Sequence, residues 1–218
     1  MSKKAKISNA VVPLSNEKIL AGVFFALRQA WELLSAARIL HRAGKFSSAY
    51  GLAVFCREEI GKSKLLEQYW RGSAAGSPVF PQDLNSGDLR SHAGKLRAAG
   101  KILSEGMISQ GTPDPTSKEG QELAHRLHEI NISARERDPE KTHRGRLRAF
   151  YVEIHETGIG WWKPWTQFDS TGASAQVLEA EIACLLRRGE LEALKADVGR
   201  VDIVLANQLY LPQDAATG

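Results

Sequence analysis

Two short segments of the chain concentrate the residue types that move protons and stabilise charge. Residues 57–62 read REEIGK and residues 89–96 read LRSHAGKL. An imidazole such as His92 exchanges protons near neutral pH, and neighbouring cations stabilise negative charge that develops on a phosphate. This combination is suited to chemistry on an anionic substrate such as the phosphate of RNA, although a satisfied histidine at the edge of a core has the same local sequence.

The carboxylates of the first segment are placed by helical periodicity. The apolar spacing of residues 46–70 predicts a helix with Glu59 at the edge of the buried stripe and Glu58 on the far face. A partly buried Glu59 needs a cationic or hydrogen-bonding partner, whereas Glu58 and Lys62, four residues apart, could form a surface ion pair. Structural ion pairs and an acid–base site both remain open. Gly61 within this helix indicates the close approach of another backbone.

Three other patterns have simpler explanations than the chemistry they resemble. Residues 61–63 match the end of a phosphate-binding loop, but Cys56 stands where such a loop needs glycine. His125 and His128 have a metal-binding spacing without a third ligand, so we predict no metal site. The tryptophans within residues 161–165 are expected to form the core of their own loop.

The elements that must position these residues are predicted to be helices. Apolar residues recur at intervals of three and four over residues 15–42 and 46–70, which predicts a helix hairpin with Ser15 as N-cap and a break at Gly44. Further helices are predicted over residues 88–105 and 118–137, and residues 175–209 are predicted to form one long helix or two consecutive helices with a break near Arg188 and Gly189.

The predicted fold class is all-α, a helical bundle interrupted once. Residues 148–154 have the aromatic and β-branched density of an extended segment, and residues 158–165 are irregular and tryptophan-rich. This insertion precedes the C-terminal helical region. Residues 15–209 are expected to form a single domain, with a flexible basic N-terminus at residues 1–14 and a flexible tail at residues 210–218.

Composition excludes several protein classes. Of the 218 residues, 43% are hydrophobic and 25% are charged, which excludes wholesale disorder. Cys56 and Cys184 are far apart in sequence and predict neither a disulfide framework nor a zinc ribbon. We find no secretory pattern and expect no membrane span, so the predicted location is cytoplasmic. The net charge of +4 favours an anionic partner without naming one.

Three motifs in order resemble the AbiV family of phage abortive-infection proteins. Residues 49–62 resemble its signature, residues 89–96 resemble its R-x-H-x-x-K-L stretch, and residues 146–153 resemble its basic-then-aromatic segment, with Glu153 in place of the usual aspartate. The resemblance spans about 49–152. It implies membership of the HEPN superfamily, compact α-helical proteins that are often dimeric and are in many cases metal-independent endoribonucleases.

The resemblance also implies an R-x4-6-H motif, in which arginine and histidine meet across the dimer near the RNA backbone. Arg137 and His143 fit this spacing, and so do Arg148 and His155. Pro139 should break a helix between the first pair, so either that segment turns or the site lies elsewhere.

The hypothesis drawn from these motifs is a bacterial antiphage protein that acts on RNA or translation, without a cofactor or metal. Its expected partners are RNA, a phage-encoded activator protein and a second copy of the chain. The alternative is a non-catalytic HEPN-like module that binds a protein or tRNA partner. The candidate catalytic residues are His92, Arg90, Glu59, Lys62, Arg137 and His143. The candidate RNA contacts are Arg57, Glu58, Lys95, Arg146, Arg148 and Tyr151.

Overall fold

The computed structural model describes residues 12–109, 139–150, 153–154, 161–163 and 168–197, and these form a helical bundle. In chain order the elements are α1 (Asn16–Arg42), α2 (Phe46–Ala74), α3 (Pro81–Leu84), α4 (Gly87–Arg90), α5 (His92–Ser109), α6 (Pro139–Phe150), β1 (Glu153–Ile154), β2 (Trp161–Trp162) and α7 (Ser170–Asp197). The antiparallel pair of β1 and β2 is the extended, tryptophan-bearing insertion. The all-α class is therefore confirmed, while the helix predicted over 118–137 lies outside the described residues.

The hairpin of α1 and α2 is built as its sequence predicts. The Ser15 side chain accepts a hydrogen bond from the backbone N–H of Lys18 and caps the first turn of α1. At the other end Gly44 has a φ of 71°, and the Lys45 N–H donates to the Leu40 carbonyl over 2.8 Å. This left-handed glycine followed by a six-to-one hydrogen bond is a Schellman motif, which ends α1 and turns the chain into α2.

Helix α2 lies at the centre of the bundle and packs against α1, α5, α6 and α7. Its small buried residues, Ala49, Ala53 and Cys56, let neighbouring helices approach closely. Two apolar clusters surround it. One joins α1, α2, α5 and α7 around Ala30, Leu34, Ile60, Ile102 and Leu186, and the other gathers Val23, Leu27, Leu66, Leu89 and Leu191 near the opposite end of α1.

Among the described helices, α1 alone is long and apolar enough by composition to cross a membrane. In the fold 44% of that apolar stretch is buried against other helices. A core helix has this same composition.

Two helix boundaries differ from the sequence prediction for local physical reasons. The helix expected from Asp88 is divided at Ser91 into the short α4 and the longer α5, which begins at His92. Ser91 adopts an extended backbone, and its hydroxyl accepts a hydrogen bond from the Gly94 N–H, as an N-cap does. Pro139 does not break a helix but begins α6, where the missing N–H of proline has no cost. The C-terminal helix α7 runs without interruption through Arg188 and Gly189.

The backbones of α2 and α5 come into direct contact at Gly61. A Cβ atom built on Gly61 would lie 1.8 Å from the carbonyl oxygen of Lys95 and 3.1 Å from the backbone nitrogen of Ala99. Only glycine fits at this crossing, which confirms the close approach inferred from the sequence. The contact sets the distance between REEIGK on α2 and the first turns of α5.

Buried ion pairs fix α7 against the other side of α2. The Arg187 side chain has no solvent exposure and donates to Glu67 over 2.6 Å and to the Ser63 hydroxyl over 3.1 Å. Burial alone would raise the pKa of the Glu67 carboxyl, but Arg187, Arg71 and Lys64 together outweigh it and lower the pKa below its usual value. Between two and three turns away along the same interface, Arg57 donates to Glu179 over 2.8 Å. Each of these pairs would leave an uncompensated charge if the helices shifted.

The contact at Gly61 predicts the effect of adding one methyl group. We expect Gly61→Ala to lower the free energy of unfolding by about 1–3 kcal/mol, because α5 must move away from α2. Gly100→Ala on α5 is the matched control, since nothing lies within 4 Å of its added Cβ and a helical alanine should stabilise by about 0.5–1 kcal/mol. Urea unfolding midpoints measure both. Equal stability of Gly61→Ala and the wild type would contradict this contact.

Candidate functional site

The described part of the site is organised around Glu58, the carboxylate of α2 that faces α5 and α6. Glu58 is only 2% exposed. Its Oε2 lies 2.7 Å from His92 Nδ1 and 3.9 Å from Lys95 Nζ, and its Oε1 lies 3.6 Å from Arg146 Nε. A buried carboxylate of this kind stays charged only if cations compensate for its lost hydration, and here two helices supply them.

His92 occupies the first position of α5, directly after its N-cap. The Ser91 cap fixes the entry of the chain into the helix, so the imidazole is presented at the α5 terminus above Glu58. Its side chain is 43% exposed, so solvent or a substrate can reach the ring. His92 is therefore both anchored by hydrogen bonding and accessible.

Arg146 reaches the same carboxylate from α6. Its guanidinium carbon lies 4.5 Å from the centre of the Phe55 ring, and its Nη2 lies 2.9 Å from His143 Nδ1. The arginine is thus held by an aromatic face below it and by polar groups at its edges. Its Nε and Glu58 Oε1 attract each other across 3.6 Å, which is too long for a hydrogen bond.

His143 lies one turn before Arg146 on α6 and stacks on His92. The two ring centres are 4.6 Å apart and their planes differ by 15°. Burial lowers the pKa of His143, and the charge of Arg146 and the proximity of the His92 ring lower it further, against the opposing effect of Glu58 and Glu140. His143 is consequently a neutral imidazole at neutral pH.

Proton transfer and phosphate binding suit this arrangement better than metal binding does. Glu58, His92 and His143 each offer a ligand atom, and these atoms lie within 4.8 Å of one another. An imidazole nitrogen, however, binds a metal ion in the plane of its own ring. The planes of the stacked His92 and His143 rings are nearly parallel, so their nitrogen lone pairs do not converge on one ion. Lys95 and Arg146 also place positive charge beside Glu58, which disfavours a further cation. The same cations would favour a phosphate.

The structure brings together His92, Lys95, Glu58, Arg146 and His143, five of the twelve residues proposed from sequence. Their contacts cross three helices that are separated by long stretches of chain. The helical-wheel prediction that Glu58 lies on a far, solvated face is wrong. Since α2 is surrounded by other helices, its face toward α5 and α6 is buried as well.

Three other proposed residues on α2 lie away from this cluster. Glu59 is partly buried as expected, but it pairs with Lys62 over 3.2 Å on a different side of the helix, so the ion pair expected between Glu58 and Lys62 is not formed. Arg57 is 3% exposed and bonds Gln176 and Glu179 of α7, because each residue advances about 100° around the helix. Arg57 is thereby occupied in helix packing and is not placed to contact RNA.

The remaining proposed residues are peripheral or lie outside the described part of the chain. Arg90 is exposed at the end of α4, and Arg148 is half-buried on α6. Arg137 and Tyr151 fall outside the described residues, as do His125, His128 and His155.

The sequence did not indicate the aromatic residues that pack beneath Arg146. Phe55 carries Arg146, and Phe150 packs near Phe55 with ring centres 5.6 Å apart. A Cβ on Gly51 would lie 2.2 Å from the Phe150 ring, so α6 crosses α2 closely at this point too. The signal available in the sequence was a glycine with a phenylalanine four residues later in α2, which resembles ordinary core packing.

In a comparison with protein families, residues 18–183 match the HEPN_AbiV model, described as AbiV. No curated protein and no solved structure matches the chain significantly. The matched range includes most of α1 and all of α2, α5 and α6, and therefore every residue of the cluster around Glu58.

The lowered pKa of His143 predicts how stability depends on pH. An unfolded histidine binds its proton near pH 6.5, and the folded His143 binds it only at lower pH. Between these values the unfolded chain holds more protons, so the free energy of unfolding falls as the pH drops through this window. His143→Gln removes the effect.

Urea midpoints at pH 7.5 and pH 5.5 test this dependence. The wild type should lose more stability on acidification than His143→Gln, while Arg144→Gln, an exposed neighbour on α6, should behave as the wild type does. Identical pH dependence in the wild type and His143→Gln would show that folding does not shift the titration of His143.

Proposed function

The chain belongs to the AbiV family of abortive-infection proteins in the HEPN superfamily, and on this premise we propose that it is a metal-independent endoribonuclease. The observation that carries the proposal is the assembly of two imidazoles, a lysine and an arginine around Glu58, from segments that are distant in sequence. Imidazoles exchange protons, and cations stabilise the charge of a phosphoryl transition state.

In the proposed reaction the 2′-hydroxyl of a ribose attacks the adjacent phosphorus. A histidine takes the hydroxyl proton as the O2′–P bond forms. The P–O5′ bond breaks, and the leaving 5′ oxygen takes a proton from solvent. Lys95 and Arg146 stabilise the added negative charge of the pentacovalent state. The products are a 2′,3′-cyclic phosphate and a 5′-hydroxyl, so no redox change or external nucleophile is needed.

The surface near the cluster supports an anionic substrate. Lys141 and Arg144 are exposed on α6, and Arg90 is exposed just before α5. With a net charge of +4, the chain would attract a polyanion at low salt and bind it less tightly as salt rises. This proposal includes a cytoplasmic location and three partners, which are RNA, a phage-encoded activator protein and a second copy of the chain.

A second candidate function is a non-catalytic module that binds a protein or tRNA partner. It is favoured by the burial of Arg146 and Lys95, whose side chains are 6% and 13% exposed. In this case the cluster is an ion-pair network that holds α2, α5 and α6 together. A purely structural network has no need of an exposed imidazole, so we favour the nuclease.

Cleavage of RNA in excess EDTA separates these functions. We expect the wild type to cut total RNA or tRNA and to leave 2′,3′-cyclic phosphate ends. His92→Gln should lower the rate by about 10²-fold or more, since it removes the base that is proposed to take the 2′-hydroxyl proton. His41→Gln is the matched control, because His41 bonds the Ser174 hydroxyl at a distant point between α1 and α7.

A second arm covers activation by a phage component. Cyclic-phosphate ends are mapped in infected cells that express either the wild type or His92→Gln. If the wild type protects from phage but produces new cyclic-phosphate ends neither in the EDTA assay nor in infected cells, the nuclease is contradicted and the binding module is supported. New ends that also form with His92→Gln would place the chemistry elsewhere in the chain.

A further inference from the structure

The stacked histidines differ in the group that holds each ring, and the difference fixes where each ring carries its proton. His92 presents Nδ1 to Glu58 Oε2 at 2.7 Å, and His143 presents Nδ1 to Arg146 Nη2 at 2.9 Å. One partner is a carboxylate and the other is a guanidinium. These two groups have opposite hydrogen-bonding capacities.

Glu58 determines the tautomer of His92. A carboxylate that faces Lys95 and Arg146 acts as an acceptor, so the short contact requires a proton on His92 Nδ1. In the neutral ring Nε2 then carries a lone pair. This is the logic by which a buried carboxylate orients a histidine base in hydrolases.

Arg146 determines the tautomer of His143 in the opposite sense. A guanidinium has only donors, so His143 Nδ1 must accept the hydrogen bond with its lone pair. The neutral ring therefore carries its proton on Nε2. Protonation of Nδ1 would set an N–H against the Arg146 N–H, which agrees with the lowered pKa of His143.

We infer that Glu58 and Arg146 hold the two stacked imidazoles in opposite tautomers, so that His92 serves as the base and His143 as a neutral hydrogen-bond donor to a phosphate oxygen. The tautomers follow from the contacts alone, whereas the two roles rest on the proposed function. Glu58 and Arg146 act here as positioning residues. Both imidazoles and both positioning residues come from one chain, so the acid–base chemistry does not depend on a histidine from a second copy.

The stacking distance makes this division of roles physically consistent. Two protonated imidazoles 4.6 Å apart would repel each other, whereas a protonated His92 is balanced by Glu58 and a neutral His143 adds no charge. The charged and titratable groups that face the pair are Glu58 on α2, Lys95 on α5, and Glu140 and Arg146 on α6. When His92 takes the hydroxyl proton, the neighbouring ring can thus remain a donor.

Long-range ¹H–¹⁵N spectra of protein labelled at histidine read the tautomers without any substrate. We expect Nδ1–H for His92 and Nε2–H for His143, with signals assigned by their loss in His92→Gln and His143→Gln. The wild-type spectrum decides the question by itself. The same tautomer on both rings, or Nε2–H on His92, would overturn the inference.

Variants of the positioning residues add a second readout. Glu58→Gln should abolish the Nδ1–H signature of His92 and lower kcat by about 10²-fold with little change in KM, because Glu58 touches the base and not the RNA. Glu181→Gln, at a carboxylate of α7 that pairs with Arg38 of α1, should do neither. Loss of kcat in Glu58→Gln with the His92 tautomer unchanged would contradict the positioning role.

Arg146→Met tests the other partner. His143 should then titrate at a higher pH than in the wild type, whereas Arg144→Met on the exposed side of α6 should leave the titration unchanged. An unchanged titration of His143 in Arg146→Met would show that Arg146 does not hold this ring. If the wild type shows the expected tautomers but cuts no RNA, either in the EDTA assay or in infected cells, the proposed nuclease activity is overturned and the tautomer assignment stands.

Discussion

A carboxylate removed from water must be compensated by nearby charge, and Glu58 imposes this requirement on three helices at once. Burial of one ion costs several kcal/mol even after relaxation, so α2 can bury Glu58 only if α5 and α6 deliver cations to it. Lys95 and Arg146 meet that requirement, and His92 adds a hydrogen bond to the same carboxylate. The same contacts that neutralise the carboxylate assemble imidazoles and cations at one place, so the charge balance that the fold requires also builds the site.

Helix α2 is charged on two sides, which is unusual for the central helix of a bundle. Toward α7 it buries Arg57 and Glu67, each matched by a partner of opposite sign. Such pairs contribute little to stability compared with apolar packing, but they are strongly unfavourable when mismatched. They therefore select one register of α7 on α2, and the small residues of α2 allow the helices to come close enough for the pairs to form.

The sequence was most informative where a single local rule decides the structure. The apolar spacing of α1, the Ser15 cap and the break at Gly44 were all predicted, as was the tight crossing at Gly61. The helical-wheel prediction for Glu58 was wrong because it assumes one buried face, whereas α2 has neighbouring helices on several sides. The meeting of His143 and Arg146 with His92 depends on how α6 crosses α5, which no local pattern encodes.

The rate at which the Cys56 and Cys184 thiols are alkylated reports the separation of α2 and α7. Their Sγ atoms lie 3.6 Å apart without solvent exposure, and burial raises the pKa of the Cys56 thiol well above its usual value. Only a thiolate reacts readily with alkylating reagents, so modification must wait for α7 to leave α2. Because the chain has only 2 cysteines, the alkylation rate of the natural protein reports how often its bundle opens.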